Sequence, residues 1–321
     1  MSIMIDHVSC SFGPVKAVRD VWLEAPKGSI MGLIGPNGAG KTTTMRMILR
    51  ILRPDSGRIT WAGKGVDQWP LGTFGYLPEE RGLYPHMRGR DQLRFFARLH
   101  GLTRAQADEQ IAYWTDRLGL DEVLGRKTDD LSKGNAQKMQ FLAAVIHRPA
   151  LVILDEPFSG LDPVNARLFK QAVKHLNEVG STVLFSSHQM DSVEELCDRV
   201  CLIAEGRTLV HGPLDEVRRR SGNRVLTLRL EVDDEAASER AMNPVAPLEG
   251  IPGLDLLEHE AGQWRYSLGP GADVDAILHL LAERERLRHF SVDYPSLEDV
   301  YIAEVSQYTE GNDAIIEEVT L

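Results

Sequence analysis

Eight residues, Gly35-Pro36-Asn37-Gly38-Ala39-Gly40-Lys41-Thr42, stand between an apolar run that reads as a strand and a segment with helical periodicity. They have the form G-x-x-x-x-G-K-[ST], a phosphate-binding loop. The oxygens of a triphosphate need many converging N–H donors, and a glycine-rich turn at a helix N-terminus supplies them. A chain with this loop must place strand, tight turn and helix in succession, and its ligand class is a nucleoside triphosphate. Gly35, Gly38 and Gly40 let the backbone close on the phosphates. Lys41 brings a point charge to the β- and γ-phosphates, and Thr42 offers a hydroxyl to Mg²⁺. The alternative, a plain glycine-rich strand–helix turn, does not require all these positions at once.

The 321 residues allow two domains rather than one core. A net charge of -11 argues against a generic nucleic-acid binder. No apolar run approaches the roughly 18–20 residues of a membrane span, and the N-terminus lacks a signal-peptide pattern. Cys10, Cys197 and Cys201 form neither a disulfide framework nor a zinc set. Cys197 and Cys201 could share a helical face, or be two small buried thiols. These features together suggest a cytosolic protein.

Apolar runs near Ser2–Val8, Val21–Ala25, Ser29–Ile34, Leu151–Leu154, Thr182–Ser186 and Val200–Ala204 read as strands. Met45, Ile48, Leu49 and Leu52 predict a helix ending before Arg53-Pro54. Pro163 opens another, with Phe169, Val173 and Leu176 on one stripe and Gly180 as its stop. This alternation predicts an α/β fold with a mainly parallel, helix-covered sheet. The stretch from about Pro85 to Pro149 reads as a helical insertion. Leu93, Phe96, Ala97 and His100 share a face there, and Thr103 with Gln106 forms a capping box before Ala107, Ile111, Trp114 and Leu118. Past a linker at Arg220-Ser221-Gly222-Asn223, Arg224–Leu230, Trp264–Leu268 and His289–Asp293 alternate as strands. Val274, Ile277, Leu278 and Leu281 mark a helix, and Ser296 caps a last one carrying Leu297, Val300 and Tyr301. The expected domains are 1–217, with its helical part at about 85–149, then a small α+β domain over 224–307, and a flexible tail over 308–321.

Three further elements carry chemistry. Leu151–Leu154 delivers Asp155 and Glu156 to the carboxyl end of a buried strand, where open α/β sheets bind ligands. Asp155 can hold Mg²⁺ through its water shell, and Glu156 is placed to orient or deprotonate an attacking water. His188, after the strand from Thr182, can reach a γ-phosphate or be a structural histidine. Leu131-Ser132-Lys133-Gly134-Asn135 opens a helix with Met139, Leu142 and Ile146 inward. Ser132 either simply caps that helix or, with Gly134, makes an anion site at its N-terminus.

The order and spacing of these elements resemble the ATP-binding subunits of ABC transporters over roughly residues 1–217. Lys41 and Thr42 match Walker A, Asp155 and Glu156 match Walker B, and Leu131–Asn135 looks like the signature usually written Leu-Ser-Gly-Gly-Gln. Ser159-Gly160-Leu161-Asp162 matches the D-loop, His188 the switch histidine, and Phe12 the aromatic that stacks on adenine. The resemblance implies a P-loop NTPase (RecA-like) core with an antiparallel β portion, and a head-to-tail homodimer or paired subunits enclosing ATP and Mg²⁺. Gly35, Asn37, Gly38, Ala39, Gly40, Lys41, Thr42 and Thr43 would hold the phosphates from one side, and Ser132, Gly134 and Asn135 from the partner. Asp162 would connect the two sites, and Thr42, Asp155 and Glu79 would serve the metal. Glu156, His188 and Lys41 would carry the hydrolysis.

Two residues depart from the pattern: Glu79 follows Gly75-Tyr76-Leu77-Pro78 where glutamine is usual, and Asn135 shortens the end of the signature. The stretch Pro78-Glu79-Glu80-Arg81-Gly82-Leu83-Tyr84-Pro85 looks like a bacterial and archaeal export-type branch, as does Tyr294-Pro295-Ser296-Leu297-Glu298-Asp299-Val300-Tyr301 near the C-terminus. The implied function is an ATPase powering a separately encoded integral membrane permease, peripheral on the cytoplasmic face of the membrane. Arg88 and Arg90 within Tyr84–Leu99 are candidate contacts, or part of a solvated face. The alternatives are a soluble ABC ATPase and a nucleotide-dependent regulator.

Overall fold

The computed structural model describes residues 2–80, 82–220, 222–230, 248, 250–260, 262–269, 271–284 and 287–319. Arg81 and Ser221, named above, lie outside them. The chain divides into two units, Met1–Leu214 and Asp215–Leu321.

The first unit is built on strands β1 (Ser2–Phe12), β2 (Val15–Pro26), β3 (Ile30–Ile34), β4 (Ser56–Trp61), β5 (Lys64–Gly65), β6 (Phe74–Leu77), β7 (Leu151–Leu154), β8 (Thr182–Ser187), β9 (Arg199–Ala204) and β10 (Arg207–Pro213). Their order is β5-β4-β1-β2-β10-β9-β3-β8-β7-β6. β3 pairs in parallel with β8 and β9, and β7 with β8 and β6. β1 pairs antiparallel with β2 and β4. The parallel strands β3, β7 and β8 are buried at every position, as strands covered on both faces must be. All six expected strands are present. β4, β6 and β10 escape the reading because each is short or irregular. Only two of six residues in β4 are buried, β6 contains Gly75, and β10 ends in Gly212-Pro213.

Helices α1 (Lys41–Ile48), α2 (Gly89–Leu99), α3 (Arg104–Leu118), α4 (Lys133–Val145), α5 (Pro163–Glu178) and α6 (Met190–Leu196) complete the unit, and α7 (Leu214–Arg219) spans the boundary. α2, α3 and α4 form the helical insertion between β6 and β7. Thr103 makes the expected capping box, and Ala107, Ile111, Trp114 and Leu118 are all buried. α1 ends at Ile48 rather than running to Leu52. Arg50 adopts φ 60, which turns the chain out of the helix, although Leu52 still packs on the core. The shared helical face for two thiols is also corrected. Cys197 caps α6, whereas Cys201 lies in β9, and both are buried. Burial pushes the Cys201 thiol up to about 12, so it is an inert thiol at neutral pH.

In the second unit, β11 (Arg224–Leu230), β12 (Leu254–Glu260), β13 (Gln263–Leu268) and β14 (Leu287–Asp293) form an antiparallel sheet in the order β12-β13-β11-β14. Its core joins Leu226, Leu228, Trp264 and Tyr266 to Ile277 and Leu281 of helix α8 (Val274–Arg284). Leu278, expected beside them, is exposed. Exposure also hid β12, whose central four residues face solvent and do not alternate. The last helix, α9, runs Leu297–Val319. Ser296 Oγ accepts from Asp299 N–H (3.1 Å) and Asp299 Oδ2 accepts from Ser296 N–H (2.9 Å), a reciprocal cap. The backbone of residues 308–319 continues this helix where the sequence suggests a flexible tail. Among the described residues no helix is long and apolar enough to cross a membrane.

His100, expected within the face of α2, instead sits just past its C-terminus. Its ring stacks on His147, with centroids 3.6 Å apart and planes at 3°. Burial, and the neighbouring His100, push His147 down to about 4. A histidine held neutral by the fold stabilises it above its unfolded pKa near 6.5, and that contribution is lost as pH falls toward about 4. Melting curves should therefore show a loss of up to about 3 kcal/mol between these limits. His147→Gln should remove that part of the acid sensitivity; an unchanged pH profile would contradict the assignment.

Candidate functional site

Sheet order fixes the site. β3 enters the loop at Gly35, where an added Cβ would lie 2.1 Å from the Ile203 carbonyl oxygen of β9. The loop leaves through Gly40, with φ +102°, where a Cβ would lie 2.7 Å from the Ala17 carbonyl oxygen of β2. A side chain at either position would push the loop off its two neighbouring strands. Gly40 is the N-cap of α1 and brings no side chain of its own to the first-turn N–H groups. These groups, with those of Asn37 and Gly38, are the donors an anion would use, while the Ala39 N–H donates to the Pro36 carbonyl at 3.2 Å.

Lys41 is only 6% exposed, and its Nζ donates to the carbonyls of Gly35 (2.7 Å) and Pro36 (3.1 Å). The same ammonium stands 3.6 Å from Glu156 Oε1. Thr42 Oγ1 donates to Asp155 Oδ1 at 3.1 Å, which joins the start of α1 to the end of β7. Thr43 follows in the same first turn.

The two acids are locked by a residue the sequence reading did not single out. Ser186 Oγ, near the end of β8, donates to Asp155 Oδ1 (2.7 Å) and accepts from Glu156 N–H (2.9 Å). Glu156 has φ 46, a left-handed conformation costing about 1–2 kcal/mol for a residue with a side chain. The bend places Glu156 Oε2 2.9 Å from His188 Nδ1. Asp155 Oδ2 and Glu156 Oε1 are buried with no hydrogen-bond partner among the described residues. Buried carboxylate oxygens without partners are costly in a folded chain, and they fit a bound cation and a bound water respectively.

Glu79 emerges beside these acids. Leu77 pairs with Leu154, and Asp155 N–H donates to the Leu77 carbonyl at 2.8 Å. Glu79 itself is exposed. Gln140, a second residue missed in the sequence, donates from Nε2 to the carbonyls of Pro78 (3.2 Å) and Glu80 (2.9 Å). Helix α4 thereby grips the segment next to the acids. Its only sequence signal is a polar residue among the inward positions of α4. Phe12 is 49% exposed at the end of β1, opposite Val15 of β2, the strand whose Ala17 carbonyl abuts Gly40.

The structure does not bring the Leu131–Asn135 segment to its own phosphate loop. Ser132 caps α4 by accepting from Asn135 N–H at 3.3 Å, and it is exposed. Its neighbours are the D-loop residues. Lys133 Nζ fills the space a Cβ at Gly160 would need, and the Asn165 amide does the same at Gly134. Asp162 caps α5 by accepting from Val164 and Asn165 N–H.

Ser186→Ala should leave the Glu156 N–H buried and unpaired, at a cost of about 1–3 kcal/mol. Melting curves should show that loss, and nucleotide turnover should fall at least about tenfold because both acids lose their common anchor. Wild-type turnover in this variant would mean that Ser186 does not position them.

Comparison with known proteins agrees with this arrangement. Residues 18–159 match the ABC transporter family, and residues 212–305 match the C-terminal domain of ATP-binding protein DrrA1-3-like. An uncharacterized ABC transporter ATP-binding protein of Bacillus subtilis (strain 168), YhaQ, is 40% identical over 96% of this chain and 100% of its own. The linearmycin resistance ATP-binding protein LnrL of the same organism is 34% identical over 73% of this chain and 76% of its own. A solved structure of an ATP-binding subunit of an ABC transporter superposes with a TM-score of 0.65 at 29% identity, covering 69% of this chain and 94% of that one. A chain with this loop, these acids and these relatives belongs to the ATP-binding subunits of ABC transporters, which are ATPases.

Proposed function

We propose that the chain is the ATP-hydrolysing subunit of an exporter, working as a pair of such subunits bound to a separately encoded membrane permease at the cytoplasmic face of the membrane. The observation that carries the hydrolytic part is the convergence of Lys41, Asp155, Glu156 and His188, with one buried oxygen on each acid lacking a hydrogen bond among the described residues. In this reading Gly35, Asn37, Gly38, Ala39, Gly40 and Thr43 wrap the phosphates, Lys41 turns from its loop carbonyls to the β- and γ-phosphates, and Phe12 stacks on adenine. Thr42 and Asp155 would hold Mg²⁺, with Glu79 beside them, and the ion when bound neutralises phosphate charge. Glu156 orients and deprotonates the attacking water through Oε1, while His188 fixes the other oxygen of the same carboxylate and approaches the γ-phosphate.

Pairing is supported by the position of Ser132. It lies eight residues before Gln140 on α4, about 12 Å further along the helix axis from the Pro78–Glu80 segment. Its exposed hydroxyl, with Gly134 and Asn135, is thus presented outward, where a second subunit's γ-phosphate would complete it. Asp162, on the same surface, would link the two sites.

Export is supported by the linearmycin resistance protein among the relatives. Docking to a permease is supported by Tyr84, Phe95 and Leu99, large apolar side chains exposed on the helical insertion, flanked by exposed Arg88 and Arg90.

Two measurements test this reading. Glu156→Gln should lower ATP turnover by at least about a hundredfold while ATP binding is retained, since only the proton acceptor is changed. Equal turnover in both proteins would remove Glu156 from the chemistry. In native membranes a tagged wild-type chain should copurify with a polytopic membrane protein. Tyr84→Ala with Phe95→Ala should lose that protein and keep ATP binding, and capture of ribosomes or DNA instead would contradict transport.

A further inference from the structure

A groove of about 1060 Å³ lies between the end of α1, strand β4 and the short β5 segment, at the opposite end of the sheet order from β6. Nothing in the nucleotide chemistry uses it. Its lining includes Arg50, Arg53, Arg58 and Lys64, against Asp55 and Asp67. None of the four cations is in an ion pair among the described residues. In a chain of net charge -11 this concentration of unpaired positive charge is a local reversal of the overall field.

The four cations outnumber the two acids, Asp55 and Asp67, that line the groove with them. Asp67 folds its carboxylate over Gly65, where an added Cβ would meet its Oδ1 at 2.4 Å. Asp55 acts on the buried Cys10, whose thiol it helps to push up. Asp6 stands across the β1–β4 ladder from Arg58. Arg50 carries further information. It sits at φ 60, a conformation glycine would take at lower cost, yet the position holds a guanidinium. Its Nη1 donates to the Asp67 carbonyl at 3.0 Å, while its Nε is buried without a hydrogen-bond partner. Lys64 is held over the Trp69 ring, 5.8 Å from its centroid. The floor between these cations is apolar, formed by Met47, Leu52 and Ile59.

A cationic rim over an apolar floor suits a phosphate carried on a partly apolar body. We infer that this groove binds a phosphate ester, either the headgroup of an anionic phospholipid or a free organic phosphate. This goes beyond the transport reading and does not depend on ATP turnover. Arg53 and Arg58 are exposed and can be changed without touching the core or the phosphate loop.

The test compares wild type with Arg53→Gln/Arg58→Gln, each filled with a non-hydrolysable ATP analogue so that the phosphate loop does not contribute. Sedimentation with phosphatidylcholine vesicles, with and without phosphatidylglycerol, reads the lipid. Calorimetric titration with soluble glycerophosphoglycerol reads the free ester. Wild type should bind only the phosphatidylglycerol vesicles, or the soluble ester as well if a free phosphate is the source. The double variant should bind about thirtyfold more weakly, as loss of two basic charges at an anionic surface implies. Its ATP turnover and melting temperature should stay at wild-type values, and binding should weaken as salt rises. Failure of wild type to bind either probe, or equal binding by the variant, overturns the assignment while leaving the ATPase reading intact.

Discussion

Two buried carboxylates at the end of one strand are the constraint on which the rest of the first unit depends. Asp155 and Glu156 lie almost fully inside the protein, within reach of a lysine that is itself buried. Such a cluster is tolerable only if each group is held in a defined geometry, because charge without partners in a low-dielectric interior is expensive. Ser186 and His188 from the end of β8, and Thr42 from the start of α1, supply most of those partners. The parallel order β3-β8-β7 brings those segments to the same end of the sheet. Asp155 Oδ2 and Glu156 Oε1 are left without hydrogen bonds among the described residues, which fits a site completed by ligands.

The same principle explains why the loop is built around glycine. Its backbone is compressed between Ile203 and Ala17, so the phosphates can be approached by N–H groups rather than by side chains. α1 then begins at Lys41 and ends at Ile48 after little more than two turns, just before a strained Arg50 that turns the chain out of the helix and lines the groove behind it. One short helix thus has a nucleotide end and a basic end, separated by a buried apolar stretch of Met45, Met47 and Ile48.

Much of this was legible in the chain. Lys41, Asp155, Glu156 and His188 each lie where an apolar strand stops or a helix starts, and such boundaries are written in local pattern. The helices at Thr103, Ser132 and Pro163 announced themselves by caps and buried stripes for the same reason. Ser186 and Gln140 were not legible, since a serine in a strand and a glutamine in a helix acquire their roles only from partners 31 and 60 or more residues away. The early end of α1 was hidden because Leu52 keeps its inward place after the helix has ended. β12 was hidden because exposure on both faces erases the alternation that identifies a strand.

In the proposed pairing one chain holds only half of each catalytic site, and Ser132, Gly134 and Asn135 of a second subunit supply the other half. ATP turnover per chain measured across a dilution series, with sedimentation to read the association state, tests this most directly. Turnover per chain should fall as the chain becomes monomeric and recover on reconcentration. Constant turnover per chain in samples that sediment as monomers would contradict it.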